Sequence, residues 1–248
     1  MNRLQVGSIV TRKSYGGDVH FKITNIITND DGKPVYVLKG LLYRLEADSS
    51  GDDLLFQDLM TANRQMRSEI LKIRSLEHNR INTFTRFIFS RLTGRSGRIL
   101  HLDGDSDFLK KCIDFYRKAG LKSFGKAVSE SRQPEVIGRY LEIYRPDIVV
   151  VTGHDGIKKD SGDTLSLNGY RNSRYFVKSA EIARKYQPDF NKLCIFAGAC
   201  QSYFEAIMKA GTNFASSPGR ILINYLDPAT VGKRIALTDS KSIVTPQE

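Results

Sequence analysis

Cysteine is scarce in this chain: Cys112, Cys194 and Cys200 are the three spread through its 248 residues. An odd, dispersed set excludes a disulfide framework and fits a reducing compartment, where a thiol is either inert packing or chemistry. Long apolar runs are missing as well. No segment approaches the roughly 18 consecutive apolar residues of a membrane span, so no membrane partner is expected. The N-terminus, Met1-Asn2-Arg3-Leu4-Gln5, has no basic-then-apolar leader, which makes a cytoplasmic location the expectation. No two Cys or His stand at zinc-ligand spacing, and no Gly-rich phosphate loop opens a helix. Neither a metal nor another cofactor is therefore expected. Internal repeats and low-complexity tracts are absent.

What is present is a core and an excess of positive charge. Hydrophobic residues make up 40% and aromatics 10%, too much apolar material for a disordered chain. Lys and Arg number 38 against 27 Asp and Glu, a formal charge of +11. The window 64–98 supplies +7 of it, with nine basic residues against Glu69 and Glu77. Such a window suits nucleic acid or an acidic partner, but a solvated helical face explains it more simply. With few interleaved aromatics, it argues against nucleic acid as a specific partner.

The pattern divides the chain into three. Residues 1–50 read as four or five short strands, at 6–10, 19–23, 35–38 and 41–45, with a turn at 29–34. They suggest a small SH3-like β-barrel, closed by the polar break at 48–53. Residues 51–97 read as a basic helical connector, because 54–92 lack Gly and Pro. Leu59, Met66, Ile70, Ile73 and Leu76 recur there at spacings of three, four and seven. Residues 98–248 alternate strands (98–102, 123–128, 147–152, 192–197, 213–215) with helices (107–119, from Pro134, 171–186, 203–210). Beyond Pro218 the pattern gives no clear element. The rhythm predicts an α/β domain, a mostly parallel sheet with helices on both faces.

In such a sheet the ligand crevice lies outside the carboxyl ends of the strands. Gly153-His154-Asp155-Gly156 follows one buried strand and Gly198-Ala199-Cys200-Gln201-Ser202 another. If the two strands are neighbours, about 5 Å apart, a histidine and a cysteine project from one sheet edge. A thiol of pKa about 8.5 is only a few per cent thiolate at neutral pH, and an adjacent imidazole raises that fraction and later protonates a leaving amine. Cys200 also stands just before a predicted helix, whose N-terminus favours a thiolate. Backbone N–H groups around Cys200 and around Asp155 and Gly156 are candidate oxyanion donors. Taken singly, each residue is better explained as packing; taken together at paired strand ends, they favour a catalytic dyad. Two rival readings stand beside it. One is a basic nucleic-acid- or protein-binding module with a catalytically silent α/β domain. The other is a metal-dependent hydrolase using Asp103, Asp105 and Asp107.

His154 lies 46 residues before Cys200, which resembles the caspase–clostripain–gingipain type of cysteine protease. Those enzymes place Gly directly after the His, where this chain has Asp155, and caspases end the cysteine motif in Gly, where it has Ser202. More closely, the whole chain resembles the sporulation-specific YabG protease family of spore-forming Firmicutes. Residues 6–12, 36–41, 152–156 and 196–202 carry that likeness, the last two most specifically. The resemblance implies a caspase-like fold and an endopeptidase of spore coat and cortex-associated proteins. It also implies cleavage after basic residues with Arg preferred, processing of the enzyme's own chain, and a mother-cell location with possible spore-coat association. The Arg-rich window is then a natural internal target.

The enzymes of this type commonly take a specificity residue from the end of the first strand, which singles out Asp103 and Asp105 as partners for a substrate Arg or Lys. Helix capping by Asp105, Ser106 or Asp107 is the competing explanation. A calcium loop would use Asp103, Asp105, Asp107 and Asp114, and fails at Phe108, where that loop needs Gly.

Overall fold

The computed structural model describes residues 4–81, 97–158 and 164–238, excluding the side chains of 72–81. Two sheets organise them. The first is antiparallel and takes β1 (Ile9–Arg12), β2 (Phe21–Thr28), β3 (Pro34–Gly40), β4 (Glu46–Ser50) and β5 (Leu54–Gln57) in the order β4-β3-β2-β1-β5. Period-two burial drives it: Phe21 and Ile23 are fully buried, while Lys22 between them and Thr24 after them are exposed. The β2–β3 turn closes through Asn29 N–H to Lys33 O at 3.0 Å, with Gly32 at a φ of +74° that favours glycine.

Two expectations are corrected here. Leu54–Gln57 is a strand rather than part of the helix, because it pairs with β1 and buries Leu54 in this sheet's core. The sheet therefore continues past residue 50, and the polar break at 48–53 is taken up by β4 and a single 3-10 turn. Residues 41–45 are no strand of this sheet. They form a loop whose neck is closed by Gly40 N–H to Leu45 O at 2.9 Å. A Cβ on Gly40 would collide with the Tyr43 carbonyl, so only glycine fits at that neck.

Helix α1 (Leu59–Ile81) is capped by Asp58, whose Oδ1 accepts from Met60 N and Thr61 N. Ala62 and Met66 anchor it in a core cluster. Residues 82–96 of the basic window lie outside the described residues.

The second sheet is parallel: β6 (Ile99–Asp103), β7 (Ser123–Ala127), β8 (Ile148–Thr152), β9 (Cys194–Ala197) and β10 (Phe214–Ala215), in the order β10-β9-β8-β6-β7. Every residue of β6 and β8 is buried, as unbroken apolar runs require when both faces are covered. Ile99, Val150 and Phe196 face α2 (Ser106–Lys118) and α6 (Asp227–Leu237). Leu100, Val149 and Ile195 face α3 (Gln133–Tyr144) and α4 (Ser173–Tyr186). Each such apolar side chain contributes about 1.5–3 kcal/mol on burial. A short α5 (Phe204–Lys209) completes the second layer. Among the described residues, no helix is long and apolar enough to cross a membrane.

Chain order reverses between β6 and its two neighbours, β7 and β8. A crevice at the carboxyl ends of β6 and β8, where Asp103 pairs with Thr152 in register, is the expected ligand position.

Candidate active site

The loops after β8 and β9 leave the sheet side by side. Thr152 Oγ1 donates to Gly198 O at 2.8 Å, and Gly198 N–H to Val151 O at 3.0 Å. Gly198 makes the exit turn at φ +113°. This brings the residues around His154 and Cys200 together: the amides of Asp155 and Cys200 both donate to one oxygen, the carbonyl of Arg44, at 3.1 and 3.2 Å.

His154 is fully buried. Its N–H donates to Glu130 Oε1 at 2.8 Å, and its ring stacks on Phe108 with centroids 5.2 Å apart. Nε2 lies 3.4 Å from Gly40 O, and Nδ1 has no hydrogen-bond partner. Burial, with Lys39 and Arg44 nearby, pulls the imidazole down to about 3. The Cys200 thiol, also fully buried, lies 3.2 Å from Ile223 O and 3.1 Å from Ile223 N. Burial pushes it up to about 12. Ring and thiol thus face different carbonyls, and both are uncharged.

Asp155 binds through its backbone and its side chain. Its carboxylate accepts from Asn172 N at 2.8 Å, Gly156 N at 2.9 Å, Ser173 Oγ at 2.5 Å and Ser202 Oγ at 2.9 Å. Burial still raises it to about 6, against those hydrogen bonds. The residue ties the histidine loop to the cysteine loop. The Gly156 amide is committed to that carboxylate, and a Cβ on Gly156 would collide with the Glu46 carbonyl.

Asp103 and Arg44 fill the crevice between β6 and β8, both fully buried. Arg44 Nη1 and Nη2 reach Asp103 Oδ1 and Oδ2 at 3.0 and 2.9 Å, a bidentate fork. Nη2 also donates to Tyr225 O at 2.7 Å, Nη1 lies 3.4 Å from Gly153 O, and the guanidinium sits 5.2 Å from the Phe108 ring centroid. Burial disfavours the Asp103 carboxylate, but the Arg44 charge and the His101 ring, its Nε2 3.5 Å away, outweigh it and hold the group well below the usual range. Asp105 instead caps α2, accepting from Asp107 N and Phe108 N at 2.9 Å.

A model of the family described as YabG peptidase U57 matches residues 5–248. The chain is also 37% identical over 249 residues to the sporulation-specific protease YabG of Bacillus subtilis (strain 168), an alignment spanning 95% of this chain and 86% of that protein. The chain belongs to the YabG peptidase family. It is a sporulation protease, and its substrates are proteins.

Three parts of this YabG-family site escape the sequence pattern. Arg44 hides in the apolar string Leu41-Leu42-Tyr43-Arg44-Leu45, where a lone charge was the available signal. Glu130 sits in a polar turn before α3 and gives no sign of pointing at His154. Ile223 to Tyr225 precede α6 in the stretch that showed no periodicity. Cys112 and Cys194 are both pushed up to about 12, chiefly by burial. Among the described residues, His101, Asp103 and Cys112 form a cluster with metal-ligand atoms within 4.8 Å of one another. The Arg44 guanidinium already contacts two of them, with Nη2 at 2.9 Å from Asp103 and 3.6 Å from Cys112. The cluster holds an organic cation.

Proposed function

We propose that this chain is a cysteine endopeptidase that cleaves after Arg. Cys200 is its nucleophile, His154 its base and then acid, and the Asp155 and Cys200 amides its oxyanion donors. The observation that carries the reading is the convergence of those two amides on one carbonyl oxygen, at 3.1 and 3.2 Å, while the same residue's guanidinium is forked by Asp103. A carbonyl on two N–H groups beside a thiol is the arrangement acyl transfer needs. A buried carboxylate two hydrogen bonds deep in the adjoining crevice suits an arginine before the cleaved bond.

The reaction follows from these groups. His154 takes the thiol proton as sulfur adds to the carbonyl carbon; the oxyanion rests on the two amides. The C–N bond breaks as His154 returns the proton to the leaving amine, and water then hydrolyses the thioester. Asp103 sets the preference for Arg. We read the first sheet as an SH3-like barrel and the second as caspase-like, supported by five antiparallel strands and by paired strand ends bearing His and Cys. The substrates we assign are spore coat and cortex-associated proteins in the mother cell, together with the enzyme's own chain.

Cleavage of an Arg-containing peptide by the full chain tests this. Cys200→Ala and His154→Ala each abolish turnover on this reading, a thiol alkylator inhibits, and EDTA does not. Full activity of Cys200→Ala, or loss to EDTA alone, overturns it.

A further inference from the structure

We propose that the Arg44–Leu45 bond is this peptidase's own first substrate, and that the uncut loop carrying it closes the active site. The proposal rests on the cysteine-endopeptidase reading above and names its internal target.

The loop is bound as an extended peptide on both sides of one bond. Before it, Tyr43 bridges Asn224 antiparallel, Arg44 N–H donates to Ile223 O at 3.0 Å, and Tyr225 N–H to Leu42 O at 3.0 Å. After it, Leu45 bridges Asp155 in parallel and Glu46 N–H donates to Asp155 O at 2.8 Å. The carbonyl between these grips is the one that takes both amides. The Cys200 thiol lies 3.2 Å from the Ile223 oxygen that also accepts from Arg44 N, so nucleophile and peptide meet at one residue. The His154 ring faces the loop's neck at Gly40.

A purely structural ion pair explains less. It would account for guanidinium against Asp103, but not for a backbone aligned across the histidine and cysteine loops. A buried ion pair is also weak evidence for stability, since apolar replacements often do as well. The sequence places an arginine, not another leucine, at the tip of an apolar loop.

The chemistry balances without a co-reactant other than water. Sulfur adds to the Arg44 carbonyl carbon, the bond to Leu45 nitrogen breaks, and the thiol proton passes through His154 to that nitrogen. Water then releases Arg44 as a carboxylate and restores the thiol. Uncut, the loop excludes other peptides from pocket and oxyanion site. The bond lies upstream of the 64–98 window.

The test is intact-mass analysis and N-terminal sequencing of the freshly purified full chain over time, beside the Arg-peptide assay. Wild type is expected to yield residues 1–44 and a new N-terminus at Leu45, with a rate independent of protein concentration; Cys200→Ala stays whole. Arg44→Lys slows the cut about tenfold, and Arg44→Ala stops it. Leu45→Pro blocks the same bond while leaving the guanidinium in place, and serves should Arg44→Ala not fold. A peptidyl-arginine chloromethyl ketone should label Cys200 of wild type in step with the cut. Wild type that cleaves the peptide through Cys200 but keeps its 44–45 bond, cuts only elsewhere, cuts at a rate proportional to concentration, or labels fully while whole overturns this proposal alone. Wild type with no Cys200-dependent cleavage of peptide or self overturns the endopeptidase reading with it.

Discussion

Glu130 accepts the backbone N–H of His154 at 2.8 Å, from a position 24 residues earlier in the chain. The contact fixes where the histidine loop leaves β8. Gly104 and Gly153 are both without side chains at this point, and a Cβ on either would collide with the Glu130 carboxylate. Two glycines from separate loops thus leave room for one hydrogen bond.

Glu130→Ala should therefore lower kcat on an Arg peptide by about 10- to 100-fold, the range seen when an orienting partner is removed, with KM nearly unchanged. Glu130→Gln keeps the oxygen acceptor and should recover most of that loss. A purely structural role would lower the melting temperature of both variants equally and leave kcat intact.

Asp103→Asn removes the charge that holds a guanidinium in the crevice. Leaving one member of a buried pair uncompensated costs about 3–5 kcal/mol, so kcat/KM for Arg peptides should fall at least 100-fold. Peptides with a neutral residue at that position should change little, and comparison of the two substrates is the measurement.

His154 makes an acid-sensitive contribution to stability. Its folded value is about 3 against 6.5 unperturbed, so between those pH values the unfolded chain binds more protons. Stability is then lost as pH falls from 6.5 towards 3. Asp155 acts in the opposite sense, raised to about 6 from 3.8, so its protonation favours the fold as pH falls from 6. Melting curves of Cys200→Ala with and without His154→Phe, which keeps a ring against Phe108, separate the two. The His154→Phe curve should fall less steeply on acidification.

Cys194 lies in β9, pushed up by burial. Cys194→Ser should keep kcat/KM within about twofold, though it places a hydroxyl against a core cluster, and Cys200→Ser should not; the peptide assay decides both.

The parallel sheet is legible in the sequence because two-sided burial writes an unbroken apolar run, as at Ile148–Thr152. His154 and Cys200 are legible for the same reason: each follows such a run. The loop 41–45 is not, since its apolar residues match a strand and its arginine finds a counter-charge only at Asp103, 59 positions away. Leu54–Gln57 reads as part of the helical pattern because four residues are too short to establish a period of their own. The stretch beyond Pro218 combines an extended segment, Ile223 to Tyr225, with a helix opened by Pro228, and neither repeats long enough to be read.

The order β4-β3-β2-β1-β5 decides what a nick between residues 44 and 45 would leave behind. Strands β1, β2 and β3 belong to the piece ending at Arg44, while β4 and β5 belong to the piece beginning at Leu45. The smaller piece is therefore clasped on both edges by strands of the larger, through ladders such as Val35 with Ser50 and Val10 with Phe56. Two bands on a denaturing gel would remain a single particle in native chromatography, with only the four residues beyond Gly40 free to swing clear.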